Sequence, residues 1–203
     1  MATPDIAALD RRAVTASVEI VSRVTAADLD KATPCSDWTL GELLAHLTVQ
    51  HDGFAAAAAG RGADLEVWAH RPLGADPVAD YTAAAERVLT AFAAPGVLEQ
   101  KFSLPEISPA LTFPGNLAIG FHFIDYVAHG WDVARSLGGP YELSADLAQA
   151  ALPIARMVPD GQRRLLPGSA FQPGLAAQPD ASLLDQVLAA LGRSPDWQPD
   201  GDS

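Results

Sequence analysis

HFIDYVAHGWDVARSLG, His122 to Gly138, is the stretch on which the reading of this chain turns. It sets His122, Asp125, His129 and Asp132 at intervals of three, four and three residues. At about 100° per residue in an α-helix, these four side chains fall within an arc of about 80°. Ile124, Val127, Val133 and Ala134 remain for packing, so a polar stripe runs down an otherwise apolar helix. Imidazoles and carboxylates are costly to bury unless hydrogen-bonded, paired or bound to a metal. The stripe therefore needs a partner. Gly138, Gly139 and Pro140 end the helix, and Asn116 is its expected N-cap.

Working outward, the same periodicity predicts helices on either side. Ile6, Leu9, Val14, Val18 and Val21 mark one from about Asp5 to Val24. Thr33 to Asp37, TPCSD, is turn chemistry, and Thr39 with Glu42 forms a capping box for a helix reaching about Ala59. That helix carries Leu40, Leu43, Leu44 and Leu47, with His46 among them. Tyr81, Val88, Leu89 and Phe92 mark a third helix over Val78 to Ala94, and Leu98 to Leu104 has the look of a short extended piece. Beyond the stripe, Ser144 to Val158 reads as a helix that Pro153 should kink or break. Gly161 to Pro179 reads as irregular, and Ser182 to Leu191 as a last short helix. The sum is an all-α chain: a four-helix bundle over residues 1–140, an extension of irregular segments and short helices over 141–192 packed on it, and a mobile tail over 193–203.

Composition narrows the function classes. A formal net charge of -12 with no basic patch excludes a nucleic-acid partner, which requires clustered Lys and Arg. The adjacent pairs Arg11–Arg12 and Arg163–Arg164 read as ordinary solvated residues. The N-terminal stretch lacks an uninterrupted apolar run, and Phe54 to Ala59 is too short to span a bilayer, so no membrane association is expected. Cys35 is the single cysteine and cannot form an internal disulfide, which points to a reducing cytoplasm. In a turn before a helix it reads as a small packing residue rather than a reactive thiol. Trp38 and Trp131 read as core residues, the latter beside Gly130, whose place inside a helix implies a close contact.

Bundle interiors build metal sites from side chains on facing helices. His46 can thus meet Asp125 and His129, which lie one turn apart. Two histidines and one carboxylate leave at least one coordination position open for water or substrate. His51 lies about 140° around the helix from His46 and should not share that site, and neither His51 nor His70 has organised neighbours in the sequence.

Two motifs carry a resemblance. TPCSDWTLGELLAHL, Thr33 to Leu47, and DYVAHGWDVA, Asp125 to Ala134, resemble the TPC-x-x-W and acid-x-x-x-HGWD-x-A signatures of DinB-like bundles. They are most similar to the actinobacterial branch related to the N-terminal domain of mycothiol-dependent maleylpyruvate isomerase. LAALGRSP, Leu188 to Pro195, also resembles the C-terminal end of that family, so the likeness covers most of the chain. It implies His46, Asp125 and His129 as ligands of a divalent metal ion, zinc or nickel, with Asp125 where the isomerase has glutamate. It also implies a low-molecular-weight thiol such as mycothiol as cosubstrate in thiol addition or transfer to a small molecule.

His122 is the expected assisting base, with a fourth ligand or a donor behind the ligands as its other possible roles. Asp132 is expected to support the ligands rather than join them. The leading reading is a metal- and thiol-dependent isomerase or transferase. The alternatives are a non-catalytic metal-binding or stress-associated bundle, and a metal-free scaffold. A homodimer, the commonest closed assembly, is the expected oligomer.

Overall fold

Asp5 caps the first helix, α1 (Ile6–Val21), by accepting from the Ala7 and Ala8 amides, and Ala13, Val14, Ser17 and Val21 form its buried face. The computed structural model describes residues 5–35, 38–166, 169 and 171–199. Ser36 and Asp37 of the TPCSDW motif lie outside them. The Thr39–Glu42 capping box opens α2 (Leu40–Ala58) as expected. Asp76 caps α3 (Pro77–Phe92), with Pro77 at its first position, where the missing N–H costs nothing.

α4 (Gly115–Ser136) starts differently from expectation. Pro114 occupies the cap position without a side-chain bond, and the Asn116 amide oxygen accepts only from the adjacent Leu117 N–H. The entry is held instead by backbone: Gly115 N donates to Gln100 O at 2.7 Å, and Asn116 N to Leu98 O at 3.0 Å. A Cβ at Gly115 would fall 1.9 Å from Val97 O, so only glycine allows that approach. The preceding connection contains a small antiparallel hairpin, β1 (Lys101–Ser103) with β2 (Thr112–Pro114), in which Phe102 faces Phe113. The extended piece expected before Leu104 is thus a strand, and its partner had no legible period at three residues.

α1 packs chiefly on α4, and α2 on α3. Leu40, Leu43, Leu44, Leu47, Tyr81 and Tyr126 fill the centre of this four-helix bundle. Phe54, Trp68, Phe92, Phe102 and Ile119 close one end. α5 (Ala145–Met157) and α6 (Leu183–Ala190) lie against the outer side of α1 and α4 through Leu147, Ala151, Leu152, Val187 and Leu191. Pro153 does not end α5, because it sits on the exposed face while Leu147, Ala148, Ala151, Leu152 and Ala155 hold the helix to the core.

Two arginines depart from their sequence reading. Arg164 is buried, and its guanidinium donates to the carbonyls of Val158, Pro159, Gln172 and Ala190, pinning the irregular segment to α6. Arg193, placed at the start of the expected tail, is fully buried. The Trp197 carbonyl accepts from Arg135 of α4 at 2.8 Å. The segment after α6 is therefore docked, held by charge pairing that hydrophobic periodicity does not register. Residues 200–203 lie outside the described residues. No helix among the described residues is long and apolar enough to cross a membrane.

Candidate metal centre

His46 lies on the α2 face turned toward α4, and Asp125 and His129 lie one turn apart on α4. One ligand atom from each of the three comes within 4.8 Å of the others. His129 Nε2 is 3.3 Å from Asp125 Oδ1. The imidazoles of His46 and His129 meet edge to face, with centroids 5.7 Å apart. Trp38 covers His46 at 4.6 Å, and Phe171 stacks on His129 at 6.0 Å, so aromatic rings flank both imidazoles. Trp38 is therefore half-buried against the site, whereas Trp131 is in the core. Tyr141 packs on Gly130, where a Cβ would come 3.2 Å from its ring, which is the close contact the glycine implied.

The carboxylate at Asp132 settles the orientation of His129. Its Oδ2 is 2.8 Å from His129 Nδ1. Arg193 grips the same carboxylate, Nε to Oδ1 at 3.1 Å and Nη2 to Oδ2 at 2.8 Å. All three side chains are fully buried. A carboxylate on Nδ1 keeps that nitrogen's proton on the Asp132 side, so that once Nε2 gives up its own proton its lone pair faces the centre, the arrangement found behind metal-binding histidines. His129 Nε2 is a buried atom that makes no hydrogen bond among the described residues, its contact with Asp125 Oδ1 at 3.3 Å being an ion pair. An unpartnered buried nitrogen facing a carboxylate and a second imidazole fits a divalent cation by position and by donor chemistry.

The electrostatics agree. Burial pushes His46 down to about 4, against the pull of Asp125, so its imidazole is neutral and available. Burial also opposes charge on His129, but Asp125 and Asp132 outweigh it and raise the group to about 9. Asp125 is held below the usual carboxylate range, burial being overcome by His129 and His46. Asp132 is likewise lowered, chiefly by Arg193 and His129 against its burial. Without an ion, the centre carries its proton on His129, where a metal would replace it.

His122 is not brought to these three residues. Its Nδ1 is 2.6 Å from Asp10 Oδ1 on α1, and its Nε2 is 3.1 Å from His51 Nδ1 on α2. Asp10, His51 and His122 are all fully buried. His51 stacks flat on Tyr126 at 4.0 Å, and Phe54 and Phe92 close around His122. His51 does stay apart from His46, but it has the organised neighbours that sequence alone did not reveal: its partners lie on two other helices. Asp10, in an unremarkable N-terminal helix, had no signal beyond a carboxylate at a core position. Cys35 is buried, as its packing role predicted, and burial pushes its thiol up to about 12. His70 reaches solvent and makes no hydrogen bond or ion pair among the described residues.

Comparison with known proteins follows this geometry. The family model described as mycothiol maleylpyruvate isomerase N-terminal domain matches residues 11–134. An uncharacterized protein of Mycobacterium tuberculosis, found in strains CDC 1551 / Oshkosh and H37Rv, is 33% identical over 191 residues, covering 91% of this chain and 95% of the relative. The crystal structure of mycothiol-dependent maleylpyruvate isomerase superposes with a TM-score of 0.63 at 14% identity, covering 97% of this chain and 91% of that one. A histidine-to-alanine mutant of the isomerase superposes equally well. The fold is the DinB-like helical bundle.

Proposed function

We propose that this chain, which belongs to the mycothiol maleylpyruvate isomerase N-terminal domain family, is a divalent-metal-dependent enzyme that brings a low-molecular-weight thiol to a small electrophilic substrate. The reaction class is isomerisation or transfer, and mycothiol is the thiol that the family points to. The observation that carries the reading is the unpartnered Nε2 of His129, facing Asp125 and His46 while Asp132 and Arg193 hold the opposite side of the ring.

His46, Asp125 and His129 would hold the ion, and the two-nitrogen, one-oxygen set suits zinc or nickel. When bound, such an ion lowers the pKa of a thiol or water so that the anion exists near neutral pH. The protein's share is to orient and to shield. Asp132 fixes the ring of His129, Trp38 and Phe171 keep water from the imidazole faces, and half-buried Asp125 marks the side open to substrate. His122, with both ring nitrogens engaged away from this centre, has no path to a substrate proton and serves the core.

Elemental analysis of protein purified without chelator or affinity-column metal should find one divalent ion per chain, lost in His46→Ala and His129→Ala. Its absence would sink the metal reading. With metal present, turnover of maleylpyruvate-like cis-diacids with mycothiol should exceed that of His129→Ala. If it does not, the ion mainly stabilises the fold.

A further inference from the structure

We propose that Glu106 is the proton-transferring side chain of this centre; the assignment rests on the thiol-dependent reading above. Gln50 follows His46 by four residues, one turn further along the same face of α2. Its side chain is buried, and its Nε2 donates to Glu106 Oε2 at 2.6 Å. The clamp therefore holds a carboxylate from the β1–β2 connection over the helix face that bears His46. Glu106 itself reaches solvent, as a group that meets substrate must.

The connection is built to present it. Leu104 is buried beside Phe102, and its carbonyl accepts from the Ile107 and Ser108 amides at 3.0 and 2.9 Å. This closes a tight turn around Pro105 and Glu106, with proline pre-set for the turn. Partial burial of the carboxyl raises it above the usual carboxylate range; Gln50 opposes the rise and the Asp125 carboxylate adds to it. Glu106 thus lies within the field of a proposed ligand, and a raised carboxyl is a better proton acceptor than an ordinary one.

Among the described residues, three other titratable groups around the centre are engaged elsewhere or closed in. His129 Nδ1 is spent on Asp132, Cys35 is buried, and His122 is bonded between Asp10 and His51. Among the described residues two groups remain to compete: the Tyr141 hydroxyl, which is buried without a hydrogen-bond partner and which burial and Asp132 hold in its protonated form, and His70, which is close enough to disfavour a proton on His46 but is clamped by nothing.

The step balances without an outside reagent. As Glu106 Oε1 takes the proton of the thiol, the S–H pair stays on sulfur and forms the bond to the electrophilic carbon. The π pair of the attacked double bond moves to the conjugated carbonyl oxygen. In an isomerisation the S–C bond then breaks, its pair returns to sulfur, and Glu106 hands the same proton back.

Calorimetric titration of mycothiol into the zinc-loaded full chain, in buffers of different ionisation enthalpy, counts the protons released on binding without any turnover. Glu106→Gln should keep its zinc and release about one more proton per bound thiol than the unaltered protein, because the internal acceptor is gone. Glu106→Asp should recover part of the difference, and Gln50→Ala should show part of the loss. Equal proton release by Glu106→Gln and the unaltered protein overturns the assignment and leaves the thiol reading standing, as does a His70→Ala variant that alone shows the extra proton. Failure of the zinc-loaded unaltered protein to bind mycothiol overturns both.

Discussion

α2 and α4 meet twice over histidines, and the two meetings have opposite characters. At one, His46 faces Asp125 and His129; at the other, His51 faces His122, with Asp10 behind it. Residue types and helical spacing are nearly the same. In the first, one imidazole nitrogen is tied back by Asp132 and the other is left facing donors, with half-buried Asp125 open on one side. In the second, both nitrogens of His122 are consumed and aromatic rings seal the surroundings; His51 Nε2 and Asp10 Oδ2 are also without a hydrogen-bond partner there, but they lie on fully buried side chains. A histidine pair becomes a site where a carboxylate orients it from behind and an opening remains in front; without the opening, the same pair is an internal brace.

The sharpest test of that contrast is Asp10→Ala. Removing one member of a fully buried pair should cost about 3 kcal/mol or more, read as a drop in the denaturation midpoint, while zinc stoichiometry at the other pair holds. Asp10→Asn keeps an acceptor and should recover much of the loss. If zinc disappears with Asp10, the two clusters are one system and the contrast fails.

Without an ion, the His46–Asp125–His129 cluster should next show its proton. Zinc must displace it from His129, so affinity should rise roughly tenfold per pH unit across the neutral range and level off near pH 9. His46 adds no slope there, since it is already neutral. The sign for metal-free stability is the reverse. A raised histidine contributes fully below its unfolded value near 6.5, and that contribution is lost as pH rises through about 9. Competition with a chelator checks the first and urea denaturation across the pH range the second. A pH-independent affinity would mean that His129 is not the proton carrier.

Asp132→Asn should weaken zinc binding roughly 10- to 100-fold, because the ring loses its orienting carboxylate and Arg193 loses its buried partner. Unchanged affinity would reduce Asp132 to a stability role like that of Asp10. The smallest effect belongs to His70→Ala, which should leave both zinc affinity and the denaturation midpoint within about 0.5 kcal/mol.

Much of the fold was legible because its determinants are local. The Thr39–Glu42 box and the periodicity of the Leu40 to Leu47 face each act within a few residues. The polar stripe was legible for the same reason, and so was the prospect that His46 could reach it. Asn116 misled because a good capping residue was overruled by backbone bonds to Leu98 and Gln100, far from its own turn. His122 was given the wrong neighbours for a related reason. Its place on the helix put it near Asp125, but α1 supplied an acceptor to one ring nitrogen and α2 a partner to the other.

By itself the sequence determined which segments are helical, which faces are apolar, and that α4 carries four polar groups needing partners. These follow from the 3.6-residue repeat and from the cost of burying unpaired polar atoms. Only the tertiary structure decided the pairings: Asp10 with His122 across 112 residues, Arg193 with Asp132 across 61, and Gln50 with Glu106 across 56. A carboxylate pairs with whichever cation or imidazole the packed helices bring within about 3 Å, and sequence spacing carries no trace of that distance.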